Sequence, residues 1–191
     1  MTYFVTGATG FIGRYLVQSL LQKGKGTIYV LVRPKSIGKL DELREFWGKD
    51  SLKRVVPIKG DLGLPKLGVA RGDLTKLKGK VKHFYHLGAV YDLEASAEAM
   101  EKANITGTKG ALELAEAVNA GCFHLVSSIA AAGLYRGTFT EDMFEEAEEL
   151  DHPYHSTKHD SEGMVRANGR IPYRIYRPGA VVGHSKTGEI D

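Results

Sequence analysis

The chain has 191 residues, 42% hydrophobic and 26% charged, with a formal net charge of +3; that describes one folded domain with a real core, not a disordered or nucleic-acid-coating chain. No apolar run approaches the roughly 18 residues of a spanning helix, no basic-then-apolar leader opens the sequence, and the single cysteine, Cys122, leaves neither an intrachain disulfide nor a Cys-based zinc site to expect. The cytoplasm is the expected compartment, with no nucleic-acid partner. Apolar runs rich in β-branched residues fall at 3–6, 27–32, 55–59, 83–87, 123–127 and 173–176. They are nearly continuous rather than alternating, as strands buried on both faces are. Helical patterns lie between them at 11–22, 37–47, 97–120 and 153–168, and 73–77 reads as a short helix within the less regular 62–80 connection. Strand–helix alternation predicts right-handed βαβ units. The fold class is therefore α/β: a doubly wound, Rossmann-type parallel sheet flanked by helices, in one domain over 1–191. The sequence stops just after the sixth strand and a Pro-Gly turn, which reads as a fragment of a longer chain.

Charge is unevenly spread. Residues 22–82 carry sixteen Lys/Arg against six Asp/Glu, whereas 140–151 carries seven acids and no base. Two solvated faces would account for this, and a phosphate-bearing ligand on the basic half is the sharper alternative. The first strand–helix junction favours the latter. Thr6-Gly7-Ala8-Thr9-Gly10-Phe11-Ile12-Gly13 places glycines where a nucleotide needs a tight turn, a backbone open to pyrophosphate and close helix–strand packing. The spacing is GxxGxxG rather than the more familiar GxGxxG, so position in the chain carries the argument. About 20 residues past Gly13, where NAD-preferring folds place an acid for the ribose 2′-hydroxyl, stands Arg33, followed by Lys35 and Ser36. An arginine attracts a 2′-phosphate through charge-assisted bonds, and Arg14 on the first helix is a second candidate; NADP(H) is the expected cofactor. Asp61, in Gly60-Asp61-Leu62 after the third strand, either meets the adenine amino group or caps a turn.

Tyr154 and Lys158 stand at i and i+4 of the last helical pattern and share a face. A phenol has a pKa near 10, and a neighbouring ammonium lowers it toward use as a proton donor at neutral pH. Ser127 and Ser128 end the fifth strand; alternation sends one hydroxyl to the core and leaves the other at the sheet edge, without saying which. Asn104, a poor helix former, sits inside the fourth helical pattern, where it would tether a neighbouring backbone or a water. The sequence holds no HExxH motif and no metal is expected, and Cys122 reads as a small core residue.

In chain order, the glycine turn, the Arg-ended second strand, Gly60-Asp61-Leu62, Asn104-Ile-Thr-Gly-Thr108, Ser127-Ser128 and Tyr154-x-x-x-Lys158 resemble the extended short-chain dehydrogenases/reductases. YVLVRP at 29–34, HLGAVYD at 86–92, VSSIAAAGLY at 126–135 and the segments 141–162 and 175–191 narrow the resemblance to the thioester-reductase branch, closest to bacterial fatty acyl-CoA reductases. The resemblance implies a Rossmann-type domain with a substrate domain that is largely absent from this chain. It implies reduction of an acyl thioester, carried on CoA or a carrier protein, by NADPH to aldehyde and onward in some members to alcohol. It makes Ser128 the catalytic serine, Tyr154 the proton donor, and Lys158 the holder of the nicotinamide ribose. It also places Leu87, Gly88 and Ala89 in the cofactor cleft and Pro178 and Gly179 near the nicotinamide. A sugar-nucleotide epimerase or dehydratase is the alternative enzyme, disfavoured by Arg33. A non-catalytic NADP-sensing module is disfavoured by Ser128, Tyr154 and Lys158 together.

Overall fold

A computed structural model describes residues 1–89 and 96–189. Its six strands are β1 (Tyr3–Thr6), β2 (Ile28–Val32), β3 (Val55–Lys59), β4 (His83–His86), β5 (Phe123–Val126) and β6 (Tyr173–Tyr176). They form one parallel sheet in the order β3-β2-β1-β4-β5-β6. This is the doubly wound order of a Rossmann fold, and its direction reverses between β1 and β4, the point outside which such sheets bind ligands.

The pleat sorts the strand residues between two cores. Phe4, Phe84 and Phe123 are fully buried and stack across β1, β4 and β5, with ring centroids 4.7 and 5.4 Å apart. They pack under α4 (Arg71–Leu77), α6 (Gly107–Ala117) and α7 (Pro153–Ala167), which contribute Leu77, Leu114 and Val165. On the other face Val5, Ile28 and Val30 meet Val17 and Leu21 of α1 (Phe11–Lys23) and Leu40 and Trp47 of α2 (Ile37–Trp47). Arg54, at the end of the short α3 (Ser51–Arg54), closes α1 by donating to the carbonyls of Leu20, Leu21 and Gly26. That end of α1 carries free carbonyls and a negative dipole, which suits a guanidinium. Among the described residues no helix is long and apolar enough to cross a membrane.

One helical expectation changes. The pattern at 97–120 is not one helix. A four-residue α5 (Ala97–Met100) passes through a wide π turn at Glu101–Thr106 before α6 begins. The chain after β2 first makes a 3₁₀ turn, Pro34–Ser36, in which Ser36 N–H donates to the Arg33 carbonyl at 2.8 Å. Of the segment HLGAVYD, Val90 to Asp92 lie outside the described residues.

Candidate active site and cofactor edge

The glycine turn leaves β1 at the switch point. Gly7 has φ +71°, and a Cβ there would lie 2.8 Å from Gly88 N of the chain leaving β4. A Cβ on Gly13 would collide with the Gly7 carbonyl oxygen. These two glycines serve the protein's own packing. Gly10 is different: it is exposed, and the nearest atom to its Cβ position is 3.5 Å away. Its surface, with exposed Thr9 and Ile12 and half-buried Phe11, is the open concavity before α1, where backbone N–H groups and the helix dipole favour an anion. That cradle fits a dinucleotide pyrophosphate. Gly10→Val is accordingly expected to abolish cofactor binding with a normal far-ultraviolet circular dichroism spectrum. Gly13→Ala should instead unfold the turn and lower the melting temperature. A folded Gly10→Val variant with unchanged cofactor affinity would show that Gly10 does not face ligand.

Thr6 lies beneath this turn, fully buried. Its Oγ1 accepts the backbone N–H groups of Leu87 and Gly88 at 3.2 and 3.0 Å, and it lies 2.8 Å from His86 Nδ1. With both N–H groups accepted, the Thr6 proton goes to His86 Nδ1. The ring is then protonated at Nε2 and donates to Thr108 Oγ1 at 3.2 Å. Burial, with the nearby Lys158 cation, lowers the His86 pKa to about 3, so the ring is neutral. Thr6 and His86 thereby fix the path of Leu87, Gly88 and exposed Ala89 at the mouth of the crevice. Leu62 packs on this path: its Cδ1 lies 2.8 Å from where a Gly88 Cβ would stand. Asp61 takes the turn-capping role, its Oδ1 accepting Gly63 N–H at 2.9 Å.

At the end of β2 the 3₁₀ turn gathers Arg33, Lys35 and Ser36, with Arg33 and Lys35 exposed. Arg14 stands on the first turn of α1. Its guanidinium lies over the Phe11 and Tyr15 rings and pairs with Glu189 at 3.0 Å.

The other half of the site is built on α7. His152 caps it, Nδ1 accepting Tyr154 N–H at 3.1 Å, and Pro153 occupies its first turn. Tyr154 and Lys158 are both only 6% exposed, and Lys158 Nζ lies 6.0 Å from the Tyr154 ring centroid. Nζ donates to the Val126 carbonyl at 3.4 Å, at the carboxyl end of β5. Desolvation lowers the Lys158 pKa to about 8. The two serines then separate. Ser127 turns inward and donates to Glu162 Oε2 at 2.9 Å. Ser128 stays at the edge, where its Oγ accepts Ala130 N–H at 3.1 Å and caps the 3₁₀ turn Ile129–Ala132. That hydroxyl still has a proton to give. His159 lies 2.9 Å from the Ala131 carbonyl, binding α7 to the same turn, and Ile129 N–H donates to the Pro178 carbonyl at 3.1 Å, which brings Pro178-Gly179 beside Ser128. Asn104, buried in the π turn, donates to the side chain of Thr157, the residue before Lys158, at 3.1 Å. Thr157 in turn donates to the Tyr154 carbonyl at 3.3 Å.

The sequence reading missed Glu162. It is fully buried, one turn beyond Lys158 on the same helix, and takes Ser127, Arg166 and Arg177 together. Burial pushes its carboxyl pKa up. The hydrogen bonds from Arg177, Arg166 and Ser127 outweigh that and leave it below the usual value. Arg177 also donates to the carbonyls of Thr140 and Met143, which lays the acidic segment over α7. The expectation for Cys122 is also corrected. It is half-buried at the amino end of β5, outside both cores, beside His83 and His124.

The family model described as "Male sterility protein", an NAD-binding domain, matches residues 5–191. The chain is 35% identical over 199 residues to a component of the linear gramicidin synthase of Brevibacillus parabrevis, covering 96% of the chain and 4% of that protein. It is 29% identical over 221 residues to a putative fatty acyl-CoA reductase of Drosophila melanogaster, covering 93% of the chain and 43% of that protein. The terminal R domain of the myxalamid PKS-NRPS pathway superposes with a TM-score of 0.86 at 32% identity, over 100% of the chain and 52% of that domain. The chain thus spans about half of that domain and less of the two relatives. With its sheet order, glycine turn and Tyr154/Lys158 helix, it belongs to the male sterility family of NAD-binding domains, within the thioester-reductase branch of the extended short-chain dehydrogenases/reductases.

Proposed function

We propose that the protein is the cofactor-binding half of an NADP(H)-dependent reductase of acyl thioesters, with acyl-CoA or an acyl carrier protein as the thioester source. One observation carries this reading. The buried Tyr154/Lys158 pair and the edge hydroxyl of Ser128 converge on the carboxyl ends of β5 and β6, on the same sheet edge as the open Gly10 turn. The fatty acyl-CoA reductase and R-domain relatives support a thioester over a sugar nucleotide. When bound, the nicotinamide supplies a hydride to the thioester carbonyl carbon. Ser128 donates a hydrogen bond to the carbonyl oxygen and Tyr154 protonates it. Lys158 holds the nicotinamide ribose and, as an ammonium, favours the phenolate that Tyr154 leaves. The resulting hemithioacetal loses its thiol and yields an aldehyde. A second NADPH and a proton would carry that aldehyde on to the alcohol.

The cofactor preference rests on exposed Arg33 and Lys35, with Arg14 as a further cation. A lost charge-assisted phosphate contact costs about 1.5–3 kcal/mol, or roughly ten- to more than a hundredfold in affinity. Titration calorimetry is expected to show NADPH bound more tightly than NADH, and Arg33→Ala to close most of that gap. Equal dissociation constants in the wild type would refute the NADP assignment. Single-turnover oxidation of NADPH by palmitoyl-CoA tests the substrate class, and turnover with UDP-sugars instead would refute it.

A further inference from the structure

At the opposite end of the sheet from the cofactor edge, three ligand-type side chains come together. His83 opens β4, Cys122 immediately precedes β5, and His124 is the second residue of β5. The parallel register sets Tyr85 opposite His124, and all four residues project to the face away from Phe84 and Phe123. The ligand atoms of His83, Cys122 and His124 all lie within 4.8 Å of one another, with His83 Nδ1 and His124 Nε2 3.0 Å apart.

We propose that His83, Cys122 and His124 form a binding site for a borderline divalent transition-metal ion, for which zinc is the best match, with water in the fourth position. Two imidazoles and a thiolate are the donors such an ion prefers, and Zn–N and Zn–S bonds of about 2.0–2.3 Å need these atoms only slightly rearranged. His124 has the outer partner that metal-bound histidines use. Its Nδ1 lies 3.0 Å from the Tyr176 hydroxyl, which leaves Nε2 for the ion, and Tyr85 stacks on its ring at 4.3 Å. The thiol gives up its proton, to solvent, when the ion binds. Arg174 is the opposing charge; it sits across from His124 on β6 and is exposed, free to swing its guanidinium into water. His83 and Cys122 are half-buried, so an ion reaches them from solution. A bound ion would clasp β4 to β5 and, through Tyr176, to β6. The site is independent of the proposed reductase activity.

Cobalt is the probe. The purified protein is stripped with chelator and titrated with Co²⁺ under reducing conditions. A thiolate-to-cobalt charge-transfer band is expected, saturating at one ion per chain and bleached by Zn²⁺. Because the chain has one cysteine, that band reports Cys122 alone. Cys122→Ser should abolish it and His83→Ala should weaken binding strongly. Tyr176→Phe should cost about tenfold in affinity. No band in the wild type, or the same affinity in His83→Ala, overturns the site. His83 is a half-buried position outside both cores, so that variant decides the matter even if Cys122→Ser misfolds.

Discussion

Tyr154→Phe is expected to slow thioester reduction by about 10²–10⁴-fold, the usual cost of removing a general acid, while leaving NADPH affinity near wild type. The ring is buried on α7, so the phenylalanine keeps the packing and deletes only the hydroxyl. Lys158→Ala should lose both turnover and affinity, because its ammonium is assigned to the nicotinamide ribose as well as to the phenol. The serines give the sharper contrast. Ser127 is committed to Glu162, whereas Ser128 keeps a donor at the edge. Ser128→Ala should therefore lose turnover with the fold intact, and Ser127→Ala should lower stability more than it lowers rate. Single-turnover NADPH oxidation with palmitoyl-CoA, run on the four variants alongside thermal melts, separates these effects. A Tyr154→Phe rate within a few-fold of wild type would remove Tyr154 from the chemistry.

Lys158 also fixes a pH dependence. Desolvation places its pKa at about 8 in the folded protein, against 10.5 for an ordinary lysine. As pH rises through 8 the cation is lost, and kcat/KM, which reports the free enzyme, should fall on that limb. Stability moves the other way. Between those two values the unfolded chain holds a proton that the folded chain has released, so folding becomes more favourable as pH rises across that window. Below pH 8 the lysine is charged in both states and its burial is a standing cost.

The strands were legible because buried parallel strands read as unbroken apolar runs, and all six ended within one residue of the expected place at both ends. The glycine turn and the Tyr154/Lys158 spacing were legible because both are local. The less readable features depend on tertiary partners. Nothing within 97–120 announces a π turn, whose buried Asn104 is matched to Thr157 on another helix. Alternation divided Ser127 from Ser128 but could not assign the faces, which the buried carboxylate of Glu162 settles. Glu162 did carry a local signal, since it lies four residues after Lys158, but its partner Arg177 reaches it only because β6 docks beside β5. His83, Cys122 and His124 have no metal-ligand spacing in sequence; the β4–β5 register brings them together.

Glu162→Ala is expected to be the most destabilising single change outside the hydrophobic core. The carboxylate is fully buried, and the Arg177 side chain that meets it at 2.6 Å is 12% exposed. Removing it strands that guanidinium and leaves the Ser127 hydroxyl without its acceptor. Breaking a buried ion pair from one side costs about 3–5 kcal/mol, a sizeable part of the roughly 5–15 kcal/mol that holds a domain folded. Arg166 adds little, since its side chain is 26% exposed and pairs at i+4 on the helix surface. The acid limb follows from the same contacts. Glu162 has its folded pKa below the ordinary carboxylate value, so its contribution is complete above that value and is lost as pH falls through the depressed one. Wild-type protein should therefore melt at progressively lower temperature in that acid range, and Glu162→Gln should show a shallower fall. The loss should not stop at stability. Glu162 joins α7 to the ends of β5 and β6, so the glutamine variant, if folded, should hold Ser128 and Tyr154 less firmly and lose kcat more than NADPH affinity. Chemical denaturation of wild type, Glu162→Gln and Glu162→Ala measures the first effect, and a loss under about 1 kcal/mol in the alanine variant, well short of the cost of a broken buried pair, would show that the arginines find water instead.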